Sequence, residues 1–143
     1  HLASTHQPPE SRIRVLVEAE GMMVGLDQIV PCGLIIHEAV ANSFRHAFPG
    51  RDGEIRITAH SLEDGRIELI VADDGVGLSG GLEQSDRGKL GFRLITGLVE
   101  HQLRGTLQVE TEGGTRLIIT FTPREQAGPD LRDAGTTADF SGP

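Results

Sequence analysis

The sequence predicts an α+β fold: a two-layer sandwich with a mixed, mostly antiparallel sheet on one side and helices on the other. Three observations predict it. Two long segments repeat apolar residues at helical spacing, and five shorter ones read as strands, three of them by alternation of apolar with polar residues. Glycine-bearing turns join four of the strand segments in pairs, as hairpins require. The chain has 143 residues, enough for one domain with a sizeable core.

In chain order, residues 1–11 are polar, hold Pro8-Pro9 and read as a linker. Arg12 to Val17 alternates, with Ile13, Val15 and Val17 on one side of a half-buried strand. Val30 to Phe48 has helical spacing and is stopped by Pro49-Gly50. Glu54 to His60 and Arg66 to Ala72 are strands joined by the turn signal Glu63-Asp64-Gly65. Leu78 to Arg87 has no period and reads as a mobile loop. Leu90, Leu94, Ile95, Leu98 and Val99 mark a second helix, Leu90 to Leu103, which Gly105 is expected to cap. Thr106 to Glu110 and Arg116 to Thr122 form a last hairpin across Glu112-Gly113-Gly114. The domain is therefore expected over 12–122, and residues 123–143, rich in Gly, Pro, Asp and Thr, read as a disordered tail.

Composition excludes several classes of function. A net charge of -8 argues against a general nucleic-acid binder, and the lack of Trp and Tyr argues against base-stacking platforms. Cys32 is the only cysteine, so no internal disulfide forms. No apolar run approaches the ~20 residues of a membrane span, so no membrane contact is expected of this segment. A cytoplasmic location is expected, with membrane anchorage of a longer protein left open.

Four groups of residues can carry chemistry. On the first helix Glu38, Asn42 and Arg45 fall within about 60° of one another, with His46 slightly outside. Ile36, Val40, Phe44 and Ala47 lie opposite and are expected to form the core stripe. The polar stripe is either a solvent face or one wall of a site. An Asn carbonyl oxygen suits Mg²⁺, Glu38 one turn earlier can orient water or accept a proton, and Arg45 and His46 can donate to phosphate or ribose.

Asp73 ends an apolar strand and can accept the exocyclic amine of adenine; Gly75 and Gly77 permit positive φ and close approach of a base. An ordinary turn is the alternative. Gly88 and Gly91 flank the expected helix start, where free N–H groups with Arg87 and Lys89 would cradle phosphate, although a lone Gly-x-x-Gly is weak evidence. Thr115 can present its hydroxyl to a base or simply start a strand. His37-Glu38 is no zinc helix, because Ala41 stands where a second His is needed. Cys32, in Pro31-Cys32-Gly33 at the expected helix start, is either an activated thiol or a small buried apolar group.

The ordered set, Glu38 to His46, Asp73 to Gly77, Gly88 to Gly91 and Gly114-Thr115, resembles the N, G1 and G2 boxes and closing Gly-Thr of the catalytic domain of bacterial sensor histidine kinases. The resemblance covers about Arg12 to Thr122 and extends to the superfamily of gyrase, Hsp-ninety-type chaperones and MutL, with its Bergerat ATP-binding fold. His46-Ala47-Phe48-Pro49-Gly50, the short lid and His37-Glu38 are similar to short-lid and HWE subgroups, although Arg45 stands where Lys is usual. The resemblance implies ATP and Mg²⁺ as cofactors, Asn42 as metal ligand, Asp73 as adenine acceptor and Leu78 to Lys89 as a lid. It also implies two partners: an upstream dimerisation hairpin carrying the phosphoacceptor His, and the receiver domain of a response regulator. No acceptor helix stands in this chain, so a catalytic fragment is expected. An anti-sigma-factor serine kinase of the same fold, or a nucleotide-binding module without transfer activity, is the alternative.

Overall fold

The computed structural model describes residues 12–77 and 86–124, the last set with backbone alone for 86–90. The expected linker, most of the expected lid and the tail beyond Arg124 lie outside the described residues. Five strands form one sheet: β1 (Ile13–Ala19), β2 (Gly53–Ser61), β3 (Ile67–Asp73), β4 (Thr106–Glu110) and β5 (Thr115–Phe121), in the order β1-β2-β3-β5-β4. β1 pairs parallel with β2, and the other three pairings are antiparallel. The parallel pair needs a long crossover, which α1 (Leu26–His46) supplies.

The second helix, α2 (Asp86–Gly97), continues as a π-helical segment over Leu98–Leu103. Period-2 alternation puts Ile55, Ile57, Ile67, Leu69, Val71, Leu117, Ile119 and Phe121 on one face of the sheet, where they form a single core with residues of both helices. The helices thus cover one face, as expected of the two-layer sandwich. The other face carries Arg14, Arg56, His60, Glu68 and Arg116.

Several local expectations shift. The helix α1 starts at Leu26 rather than Val30, because Gly25 in extended conformation opens it and Pro31 is accommodated within it. Its buried stripe is Gln28, Pro31, Ile35, Ala39 and Ser43, one residue out of phase with the expected one, so Phe44 stays 49% exposed. Small residues face the sheet, which lets the helix lie close to β2 and β3. α2 turns inward through Ile95, Val99 and Leu103, while Leu94 remains exposed. β1 is an edge strand to the side of α1, so Val15 and Val17 are exposed rather than half-buried.

Gly105 does not itself take the left-handed position at the helix end; Arg104 does, at φ 53°. Gly105 is reserved for close passage against Thr120 of β5, where a Cβ would collide with the backbone. Beyond the expected end at Thr122 the chain is still fastened. The Arg124 N–H donates to Gln28 Oε1 at 2.9 Å, and Gln28 Nε2 donates to the Thr122 carbonyl at 3.0 Å. Gln28 is fully buried, and both ends of its amide are satisfied.

Candidate nucleotide-binding site

The register of the sheet builds the site. β3 and β5 pair so that Asp73 stands directly opposite Thr115, which brings two residues 42 positions apart to one end of the sheet. The α1 helix runs toward the same end, and its residue Ser43 meets Asp73 there. From the described residues the carboxylate of Asp73 accepts three hydrogen bonds. Ser43 Oγ donates to Oδ2 at 2.7 Å, while the N–H groups of Gly75 and Thr115 donate to Oδ1 at 3.0 and 3.1 Å. A carboxylate offers about four lone-pair positions. The described residues therefore leave one acceptor position, on Oδ2.

The turn after Asp73 is shaped by contact as much as by φ. Gly77 has φ +76°, as expected of a left-handed position. Gly75 has no positive φ; it is glycine because a Cβ would run into Ala47 at the end of α1, whose carbonyl accepts the Val76 N–H at 2.9 Å. Gly114, at φ +126°, lies so close to Asp73 that a Cβ would overlap the Asp73 carbonyl. Asp74 turns away from the site and accepts the Glu54 N–H at 2.8 Å, and its carbonyl accepts Arg51 Nη2 at 3.0 Å.

Glu38 and Asn42 share the wall that α1 presents to α2. A Cβ on Gly91 would lie 2.9 Å from Glu38 Oε2 and 3.0 Å from Asn42 Nδ2. Gly91 thus brings the two helices together around an oxygen-bearing pair. Arg45 is exposed, and its Nη1 donates to Asn42 Oδ1 at 3.3 Å. His46 Nε2 is enclosed without a hydrogen-bond partner among the described residues. The structure therefore brings together Asp73, Gly75, Gly77 and Thr115 at one edge, and Glu38, Asn42, Arg45 and Gly91 at the neighbouring one.

Gly88 and Gly91 do not flank a helix start. α2 begins at Asp86, so Gly88 and Lys89 fall in its first turn, where N–H groups have no partner within the helix, and Gly91 falls in the second. The Lys89 side chain lies outside the described residues. The hard oxygens of Asn42 and Glu38 suit a magnesium ion, which keeps several waters and takes few protein ligands. Among the described residues no group of three or more His, Cys, Asp and Glu side chains is placed to hold a metal ion.

Sequence reasoning missed Ser43, Arg51 and the role of Ala47. Ser43 carried a signal, since a serine in a helix interior is a weak helix former. Cys32 sits inside α1 rather than at its start, and burial pushes its thiol up to about 11. It stays protonated near neutral pH and packs, partly buried, against the core as a small apolar group.

Residues 27–127 match the family described as histidine kinase-, DNA gyrase B- and HSP90-like ATPase. A blue-light-activated histidine kinase 2 of Erythrobacter litoralis is 30% identical over 120 residues, covering 83% of this chain and 34% of that protein. The sensor histidine kinase PdtaS of Mycolicibacterium smegmatis is 34% identical over 91 residues, covering 60% of this chain and 18% of that one. An anti-sigma F factor of Clostridium kluyveri is 27% identical over 121 residues, covering 76% and 81%. Among solved structures, the histidine kinase domain of the Erythrobacter litoralis EL346 kinase superposes with a TM-score of 0.71 at 27% identity, covering 80% of this chain and 53% of that one. The chain spans about a third of the length of the first relative. It belongs to the histidine kinase-, DNA gyrase B- and HSP90-like ATPase family, and what it holds is an ATP-binding catalytic domain of the sensor histidine kinase kind.

Proposed function

We propose that this domain binds ATP with magnesium and passes the γ-phosphate to a histidine on a dimerisation hairpin outside this chain, from which it moves to an aspartate of a response regulator. The observation that carries the reading is the Asp73 carboxylate, held by three uncharged donors with one acceptor position to spare. An adenine 6-amino group supplies one matching donor, whereas the guanine carbonyl at that position would face a lone pair. Asn42 follows one residue before Ser43 on the same helix, so base recognition and phosphate binding are held in fixed relation by one rigid element.

Asn42 Oδ1 would hold the magnesium, with Arg45 giving up its contact to that oxygen and turning to phosphate. Bound there, the ion would neutralise charge on the β- and γ-phosphates. Glu38 lies beside Asn42 at Gly91 and would orient the attacking imidazole or a water. Gly88 and Lys89 offer first-turn N–H groups to the phosphates. The N–H of Thr115 is engaged by Asp73, which leaves its hydroxyl for the base. His46 would join the phosphate contacts only if its enclosed Nε2 were uncovered.

The test is Asn42→Ala, made both in this chain and in the longer protein that carries the acceptor. Magnesium-free nucleotide binding should persist, the gain in affinity on adding magnesium should vanish, and transfer should fall below detection. Retained transfer would return Asn42 to a solvent-face role. The anti-sigma F relative, matched over 81% of its length, favours a second reading as a serine kinase. Acid-labile phosphate on an acceptor histidine supports the first reading, and acid-stable phosphoserine on a partner protein supports the second.

A further inference from the structure

We propose that Ser43 is a specificity-determining positioning residue, whose hydroxyl sets the Asp73 carboxylate so that a single acceptor position remains for the 6-amino group of a purine nucleotide. The inference rests on Asp73 reading the base. Ser43 is buried on the face of α1 turned to the sheet, where a serine gains nothing from packing over alanine. Its Oγ makes the shortest of the three bonds to Asp73, and the only one to Oδ2.

The division between the two oxygens matters. Oδ1 is filled by the N–H groups of Gly75 and Thr115, both backbone donors that the turn and the β5 start hold in place. Oδ2 is the working oxygen, and Ser43 occupies one of its two lone-pair positions. Remove the hydroxyl, and Oδ2 offers two equivalent positions to water or ligand. The carboxylate also loses the contact that stops it turning about the axis set by its Oδ1 bonds. Recognition of the amine should then weaken, because a ligand donor must compete with water and order the carboxylate itself. Binding of the rest of the nucleotide should not change, since Ser43 touches none of Asn42, Glu38 or the α2 backbone in any hydrogen bond of the described residues.

The experiment compares ATP with purine riboside triphosphate, which lacks only the 6-amino group, by calorimetric titration of the whole chain. Wild type should prefer ATP by about tenfold or more, the worth of one hydrogen bond to a charged acceptor. Ser43→Ala and Ser43→Cys should cut that preference to about twofold while leaving affinity for the purine analogue unchanged; Cys keeps the volume but is a weak donor. Ser43→Thr, which keeps the hydroxyl, should restore it. A merely structural serine would weaken both nucleotides together. Wild-type preference retained in both Ser43→Ala and Ser43→Cys overturns the inference. Equal binding of both nucleotides by wild type, or an undiminished preference in Asp73→Asn, overturns instead the reading of Asp73 on which it stands.

Discussion

Two carboxylate sites lie near one another in this molecule and are used in opposite ways. Across β1 and β2, Glu54 receives Arg14 Nη2 at 2.9 Å and Arg56 Nη2 at 2.8 Å, and Arg56 reaches on to Glu18. Charge there is matched by charge, in the open, and those bonds hold Glu54 below its ordinary carboxylate range. At the ends of β3 and β5, Asp73 receives a hydroxyl and two backbone N–H groups, all uncharged. Its orientation is fixed, while among the described residues its charge meets no ion pair and one acceptor position stays open. The difference teaches that charges matched by charges on the surface are spent on each other, whereas Asp73, oriented by neutral donors, keeps the capacity that the proposed base recognition requires.

The comparison breaks most severely at Gly114. Gly114→Ala places a Cβ against the Asp73 carbonyl and asks alanine to adopt φ +126°, so β5 can no longer sit beside Asp73. A loss of about 3 kcal/mol is expected, measured by urea unfolding, together with loss of ATP binding. Wild-type stability in this variant would mean that the cradle is looser than described.

A smaller effect is expected at the far end of α1. The Gln28 amide is paired at both ends, as Glu54 is, but fully buried where Asp73 is only partly so, bonding Thr122 and Arg124. Gln28→Ala should cost about 2 kcal/mol by removing two partly buried hydrogen bonds and emptying a fully buried position, and ATP affinity should not move. A change in affinity without a change in stability would contradict the division between saturated and unsaturated polar groups.

The smallest effect belongs to the ladder. Glu54→Gln should be barely separable from wild type by urea unfolding at 0.15 M salt, because its partners are exposed and screened. Since the folded state lowers the carboxyl below its ordinary 4.5, the Glu54 contribution is whole above that pH. It is lost as pH falls through the lowered value. Any stability difference between wild type and Glu54→Gln should therefore be flat from pH 6 to 8 and close up in acid. A difference that grows in acid would reverse the sign.

Much of the fold was legible because its signals are local. Alternation located the first three strands, and the Glu63-Asp64-Gly65 turn and the Gly113-Gly114 pair marked both hairpins, the second of which placed the last two strands. The pairing of Asp73 with Thr115 follows from strand order and register, which single-segment patterns suggest only through the turns. Ser43 was missed although a serine inside a helix is itself a signal. Counting apolar residues on α1 turned Phe44 inward, yet the helix approaches the sheet through Ala39 and Ser43, because small side chains permit the contact and Asp73 supplies the polar partner. Gly75 was read for its φ and is needed for its lack of a Cβ, a requirement set by Ala47, 28 residues earlier. The start of α2 was placed late because Gly88 is a poor helix former. The acidic Asp86 favours a helix N-terminus there, and the packing of Gly91 on α1 extends the helix across the glycines.

The central claim is that Asp73 is the base-reading group, and calorimetric titration of wild type and Asp73→Asn with ATP and with GTP tests it most directly. Wild type should bind ATP and discriminate against GTP. In the variant an amide takes the place of one carboxylate oxygen, so ATP affinity should fall by about 100-fold while the fold, followed by circular dichroism, is retained. Equal affinity of wild type for the two nucleotides, or undiminished ATP binding in a folded Asp73→Asn, would contradict the account.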